Sequence, residues 1–426
     1  MTNQSTALRP TKVEPSRRLQ DTTRGATATD LRESNASLVF SFLKVHSPCS
    51  RADLARLTGL TAPTISALVD DFRRRSLVKI RGQGASTGGR PPTIVEINTT
   101  HWHVVGVNIG AVYVRLALAD LSGGIVARES IRLGADHTPE TVTDLIAAGV
   151  ERLCATAGIT RKRILLIASG APGITDVGAG VVLSAPNLDD WDNIPLRDLI
   201  EDKTGISCIV ENDVNLGALG EYRCGAAKGV SDFVFLAIGT GVGAGIILNG
   251  SLHRGALHSA GEVGYMMLPG LPQKALKLNK AGAFESVIGG RSIEETWQRR
   301  AKNPPLTATE IFDRAKEGDA RAKLVLERTA QHLAAAITNI SLVLDISLVV
   351  LGGGVGRSQS LLEATDRLLR NNQFSRPRLM VSQLGIDAEI FGAVRLALQT
   401  AEVHGYRRRA PDRKRRVKGG AALASA

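Results

Sequence analysis

Cysteine is scarce and scattered. The four residues Cys49, Cys154, Cys208 and Cys224 show no CxxC spacing, which excludes a disulfide framework or a compact zinc cluster and predicts reduced, mostly buried thiols. Long apolar runs are lacking too: the longest uncharged stretch, Phe233 to Leu248, is broken by Gly239, Gly241, Gly243 and Gly245, so no transmembrane helix and no membrane partner are expected. The polar, Ser/Thr-rich N-terminus has no apolar segment of the secretory kind, and a cytoplasmic location follows as an expectation. Compositional extremes are also absent. With 43% hydrophobic and 22% charged residues, wholesale disorder and collagen-like repetition are excluded.

What the chain has is length and unevenly placed positive charge. Its 426 residues predict two or three domains with large buried cores. The net charge of +12 is concentrated at the ends: residues 31–98 hold ten basic and five acidic side chains, residues 405–426 eight and one, while 99–404 carry a net −2. Basic ends on a nearly neutral body point to a nucleic-acid footprint. The tail 405–426 and the arm 1–33 lack apolar periodicity and are expected to be disordered.

Residues 34–98 fit a winged helix-turn-helix. Leu38, Val39, Phe42 and Leu43 recur at helical spacing, Ser50 caps a second helix with Asp53 three residues on, and Gly59 breaks the chain before a third helix over 61–75. Ala55, Gly59 and Ile65 supply the small residue, the turn and the anchor that two crossing helices need, with Leu54, Leu60 and Leu68 as shared core. This leaves Thr61, Ala62, Thr64, Ser66 and Ala67 toward a DNA major groove. Strands at 77–80 and 93–97 flank a glycine-rich wing ending in Gly88-Gly89-Arg90-Pro91-Pro92, which presents one guanidinium to a minor groove. Arg73, Arg74, Arg75, Lys79 and Arg81 are candidate phosphate partners. Double-stranded DNA is the expected partner.

Beyond Asn98, strands near 103–109, 113–119, 124–132, 163–169, 206–211, 232–238, 243–249 and 347–351 alternate with helices near 138–157 and 320–343, which predicts an α/β body with crossover connections. A weak echo between the strand pair ending at Asp120–Gly123 and the one from Gly239 to Gly250 leaves two similar lobes as one reading and chance as the other. The densest polar cluster, Glu211-Asn212-Asp213-Val214-Asn215, falls at a strand end, where α/β sheets place ligands. Two further segments, Gly239-Thr240-Gly241-Val242-Gly243-Ala244-Gly245 and Gly261-Glu262-Val263-Gly264-Tyr265, offer a backbone anion cradle and a carboxylate. Gly352-Gly353-Gly354 follows the strand at 347–351. Buried carboxylates at strand ends also serve simply to cap the next helix.

Together these segments resemble the ROK family of sugar kinases and sugar-responsive transcriptional repressors, from Asn35 to about Ala401. The specific pieces are the wing ending in Gly-Gly-Arg-Pro, Pro186-Asn187-Leu188 with Trp191, Asn212-Asp213-x-Asn215, the Gly239–Gly245 turn and Gly261-Glu262-x-Gly264. The resemblance implies a two-lobed actin-like, hexokinase-type (RNase H-like) ATPase fold behind the winged helix: lobe I over 99–217, completed by 386–404, and lobe II over 218–385. It also implies a sugar in the cleft. Asp213 matches the base of family kinases, and Asn187, Asn212, Glu262, Tyr265 and Glu285 match the sugar-contacting set.

The departures from the kinase pattern are informative. The first phosphate hairpin reads Asn108-Ile109-Gly110-Ala111-Val112, and an amide supplies no charge to a magnesium shell, nor Val112 a hydroxyl to a phosphate. The remaining nucleotide loops, Asn108, Gly110, Gly239, Thr240, Gly241, Gly243, Gly353 and Gly354, are therefore expected to be degenerate. The family's zinc motif is missing: Tyr265 replaces its histidine, and between it and Glu285 lie Leu276, Leu278, Ala283 and Phe284 but no cysteine, so the loop is expected to be held by apolar packing and no zinc or other cofactor is expected. The resulting expectation is a repressor of carbohydrate-related genes that binds a sugar or sugar phosphate, and an inverted-repeat operator as a homodimer or homotetramer. The alternative is an active sugar kinase with an appended DNA-binding domain, for which ATP and magnesium would be required. A third class, a regulator whose body binds another protein, is permitted by the family alone.

Overall fold

The computed structural model describes residues 28–84, 91–134, 137–185, 188, 190–271, 281–299, 305–370 and 376–404, with backbone alone at 28–30 and 402–404. Arg90, Asn187, Leu276, Leu278 and the tail from 405 lie outside the described residues. The first unit comprises α1 (Ala28–His46), β1 (Cys49–Ser50), α2 (Arg51–Thr58), α3 (Ala62–Arg74), β2 (Val78–Gln83) and β3 (Thr93–Ile97). Its sheet has the order β1-β3-β2. Ser50 caps α2 by accepting from the Asp53 N–H at 3.1 Å, and the Asp53 carboxylate takes the Ser50 N–H in return, the expected capping box. Gly59 adopts φ 71°, closing the turn through its N–H to the Ala55 carbonyl. Leu54, Ile65, Leu68 and Phe72 are buried, with Leu60 packed against them.

Two expectations for α1 need correction. Residues 28–33 belong to the helix and not to a disordered arm, because a helix nucleated on a buried face extends upstream at little cost. Its buried face is Ala36, Val39, Phe40 and Leu43, whereas Leu38 is exposed and Phe42 half-buried. The aromatic pair decides this rotation: Phe40 meets Phe72 edge-on at 5.7 Å.

The body follows as β4 (His103–Ile109), β5 (Tyr113–Asp120), β6 (Ile125–Arg132), α4 (Pro139–Ala157), β7 (Ile164–Ala171), β8 (Ile174–Asp176), β9 (Val181–Ser184), α5 (Leu196–Thr204), β10 (Cys208–Asn212) and α6 (Asp213–Cys224). It continues as β11 (Phe233–Ile238), β12 (Val242–Leu248), β13 (Ser251–Leu252), α7 (Glu285–Ile288), α8 (Gly290–Arg299), α9 (Ala308–Glu317), α10 (Ala320–Leu344), β14 (Leu348–Gly352), α11 (Gly353–Gly356), α12 (Gln359–Leu369), β15 (Arg378–Val381) and α13 (Ala388–His404). The two five-stranded sheets have orders β10-β7-β4-β5-β6 and β13-β12-β11-β14-β15. In each, an antiparallel meander is extended by two parallel strands on the far side of its first strand. The internal echo is thus a repeated topology.

Between the sheets lie α6 and α13. The lobe boundary expected at 217 and 218 falls inside α6, which packs on β12 and β11 with one side and on α13 with the other. Glycine permits that crossing: a Cβ on Gly392 of α13 would stand 1.8 Å from the Leu216 carbonyl oxygen, and one on Gly220 would stand 2.2 Å from that of Ala388. From there α13 runs across β4 and β7 to α1, and its Ile390, Val394 and Leu398 share one apolar core with Val39, Leu43 and Phe72. Trp102 adds a polar tie, its indole N–H donating to the Arg75 carbonyl at 2.8 Å. Among the described residues no helix is long and apolar enough to cross a membrane.

Candidate functional site

Strand register sets one wall of the site. Asn108 on β4 is level with Gly170 on β7, which is level with Glu211 on β10, so the chemistry-bearing ends of three parallel strands lie in one row. Facing them across the molecule are the β11–β12 turn and the segment 261–265. The cleft between has a volume of about 990 Å³ and is lined by Asp213, Glu262, Tyr265, Glu285, Asn108 and Glu389 among others.

Asp213 opens α6. Asn212 is its N-cap: the Asn212 Oδ1 accepts from the Asn215 N–H at 2.9 Å while its Nδ2 donates to the Gly173 carbonyl at 2.9 Å. Asn212, expected to contact sugar, is absent from the residues lining the cleft and instead holds the helix start. Asp213 accepts the Val214 N–H at 2.8 Å, yet burial, the nearby Glu389 carboxyl and Glu262 raise its pKa to about 7. Burial and Glu285 push Glu262 to about 7 as well. Glu285 is raised by burial although its Oε2 accepts the Val242 N–H at 2.9 Å. Tyr265 is pushed to about 12 by burial, Glu262 and Glu285. These four side chains form a wall of acceptors and one phenol, suited to a neutral polyhydroxyl ligand whose O–H groups donate to the carboxyls.

Asn108, Glu389, Arg115, Arg291 and Arg357 line the same cleft, so its charge is mixed. Asn108 is 5% exposed, and its Oδ1 has no hydrogen-bond partner. Glu389, at the start of α13, is raised to about 7 by burial, with Arg115 and Arg357 drawing it down. The Gly239 N–H bonds the Gly241 carbonyl in the β11–β12 turn, and Gly353 and Gly354 line the cleft, as does Gly243, which with Gly245 lies in β12. There they admit α6, since a Cβ on Gly245 would be 2.7 Å from the Val214 carbonyl oxygen. The expected cradle is thus half a turn and half a helix-packing surface. Phe284 is fully buried and Ala283 packs beside it. Among the described residues no group of three or more His, Cys, Asp or Glu could hold a metal ion.

Glu389, Arg115 and Arg357 escape sequence reasoning because no local motif surrounds them; chain topology alone brings them to Asp213. On the winged helix, Thr61, Ala62, Ala67, Arg73 and Arg74 are exposed and Thr64 and Ser66 partly so. The Thr61 and Thr64 hydroxyls lie 2.9 Å apart. Arg74 pairs with Asp71 at 3.0 Å, and Arg51 ties α2 to α3 through Asp70 at 2.6 Å. The exposed side of α3 is therefore polar, small and basic toward its end.

Comparison with known proteins supplies the context. Residues 104–400 match the ROK family. The xylose repressor of Caldicellulosiruptor bescii is 27% identical over 385 residues, covering 86% of this chain and 96% of the relative. A glucokinase of Halalkalibacterium halodurans is 30% identical over 317 residues, covering 68% of this chain and 93% of its own. A crystal structure of a ROK family transcriptional regulator, homolog of the E. coli MLC protein, superposes with a TM-score of 0.73 at 23% identity, covering 88% of this chain and 97% of that one. The repressor alignment covers more of this chain than the glucokinase alignment does, 86% against 68%.

Proposed function

The chain belongs to the ROK family, and from that premise we propose that it is a DNA-binding repressor of carbohydrate-related genes, with a sugar in the cleft as effector. One observation carries this reading: the carboxyls of Asp213, Glu262 and Glu285 line one cleft, and the uncharged Asn108 lines it too, where the resemblance to family kinases calls for a carboxylate. The winged helix binds an inverted-repeat operator through the exposed side of α3 and the wing. Two copies, as a dimer or within a tetramer, place half-sites a whole number of helical turns apart.

The link between sugar and operator is α13. It begins at the cleft with Glu389 and ends against α1, so a lobe movement that shifts its start is passed to the winged helix through a shared core. The sugar biases this only by its differential affinity for the two arrangements, a coupling of about 1–3 kcal/mol. D-xylose and D-glucose, sugars named in the relatives, are the first probes. A thermal shift with either sugar, and not with a sugar alcohol of the same size, is expected, since a ligand that favours the native state raises its stability. No shift with any sugar would count against the sensor.

An active kinase is favoured by a different observation. Asp213, with its pKa near 7, is poised as a general base for a sugar hydroxyl. Under this reading ATP and magnesium bind the far side of the cleft, and Asn108 is the residue that argues against it.

A further inference from the structure

An ion pair between the half-buried Arg254 and the buried Glu211 connects the two walls of the cleft. Glu211, at the end of β10 and 1% exposed, holds four donors on its two oxygens. Oε1 accepts the Asn212 N–H at 3.0 Å and the Asn215 Nδ2 at 3.0 Å; Oε2 accepts Nε and Nη2 of Arg254, each at 2.7 Å. Arg254 belongs to the other half of the body, on the segment from β13 to Glu262. That segment is closed on itself, the Ala260 N–H donating to the Arg254 carbonyl at 3.3 Å, and Gly261 is bound to β12 through the Ala244 N–H at 2.8 Å. His258 of the same segment approaches Asp176 on β8 at 3.6 Å.

The consequence is a continuous path. On one side Glu211 fixes Asn212 and Asn215, which between them set the first turn of α6 and so the direction of Asp213. On the other, Arg254 fixes the loop that delivers Glu262. A two-pronged guanidinium–carboxylate contact defines orientation as well as distance, which a single lysine ammonium does not.

We propose that Arg254 and Glu211 are positioning residues of the effector site, an ion pair across the two lobes that sets Asp213 and Glu262 in register for one ligand. The pair lies behind the cleft wall and does not itself line it. The inference rests on the sensor reading for its ligand, but its structural half is testable without one.

Hydrogen exchange of the sugar-free full chain reads the tie directly. In Arg254→Gln the amides of 212–215 and of 258–262 are expected to exchange at least tenfold faster together, although the substitution touches only one of the two segments. Arg254→Lys, which keeps the charge but not the two-pronged contact, should restore only part of the protection. Should Arg254→Gln fold poorly because Glu211 is left unpaired, the double variant Arg254→Gln with Glu211→Gln removes that charge. It is expected to regain thermal stability and yet bind D-xylose or D-glucose at least tenfold more weakly than the unsubstituted protein, with sugar-free operator affinity within threefold. Unchanged exchange at 212–215 in Arg254→Gln, or full sugar affinity in the double variant, overturns the proposal. Loosening of both segments in a protein whose unsubstituted form binds no sugar upholds the tie and sinks the sensor reading.

Discussion

Replacing Asp213 by asparagine should stabilise the sugar-free protein at neutral and higher pH. The carboxyl has an ordinary pKa of 3.8 in the unfolded chain and about 7 in the fold. Below about pH 4 both states hold the proton. As the pH rises the unfolded chain releases it first, so the folded state binds more protons and stability falls through the window from 4 to 7. The difference between 3.8 and about 7 corresponds to roughly 4 kcal/mol, and relaxation of the site brings the expected loss to about 2–4 kcal/mol. Asparagine keeps the shape and an oxygen for the Val214 N–H, and does not titrate. Urea unfolding at pH 4, 6 and 8, extrapolated linearly, should show the variant close to the original protein at pH 4 and about 2–4 kcal/mol more stable at pH 8. The slope will not vanish, because Glu262 and Glu389 titrate in the same window. Equal stability at pH 8, or a variant less stable there, refutes the argument that burial and neighbouring carboxyls hold this group protonated. A carboxyl kept at such a cost is what a site for hydroxyl donors needs.

Three further outcomes are expected. Gly59→Ala forces a β-carbon into left-handed backbone with nothing else in the way, costing about 1–2 kcal/mol; thermal denaturation checks it, and an unaltered melting temperature refutes the strain. Arg90→Ala should weaken operator binding by about 1–3 kcal/mol if the wing makes a specific contact; unchanged affinity at fixed salt with the fold intact removes that role. Deleting residues 405–426 should flatten the salt dependence of DNA binding and reduce non-specific affinity more than specificity; an unaltered salt slope makes the tail a solubilising end.

What was legible in the sequence follows the range of the interactions. The capping box of Ser50 and Asp53, the left-handed Gly59 and the strand 103–109 depend on residues within a few positions, and each is found where the pattern puts it. Asp213, Glu262, Tyr265 and Glu285 were legible through family motifs and do line one cleft. Asn212 is ambiguous in the sequence because asparagine before a helix serves equally as a cap, and nothing local separates cap from ligand. The glycines of β12 are ambiguous for a related reason: a missing side chain accommodates a helix as readily as a phosphate. Glu389 and Arg254 were invisible, since their partners lie far along the chain and only the crossing of α6, α13 and the β13–Glu262 segment brings them together.

The central claim is that Asp213 senses a sugar and does not phosphorylate it. The most direct measurement titrates operator DNA with and without D-xylose or D-glucose for the original protein and Asp213→Ala, and follows ADP release with magnesium and ATP in the same samples. The account predicts that sugar alters operator affinity only in the original protein, that sugar-free affinities agree within about a factor of ten, roughly 1.4 kcal/mol, and that neither protein releases ADP on sugar addition. Sugar-dependent ADP release that disappears in Asp213→Ala would contradict it and establish the kinase.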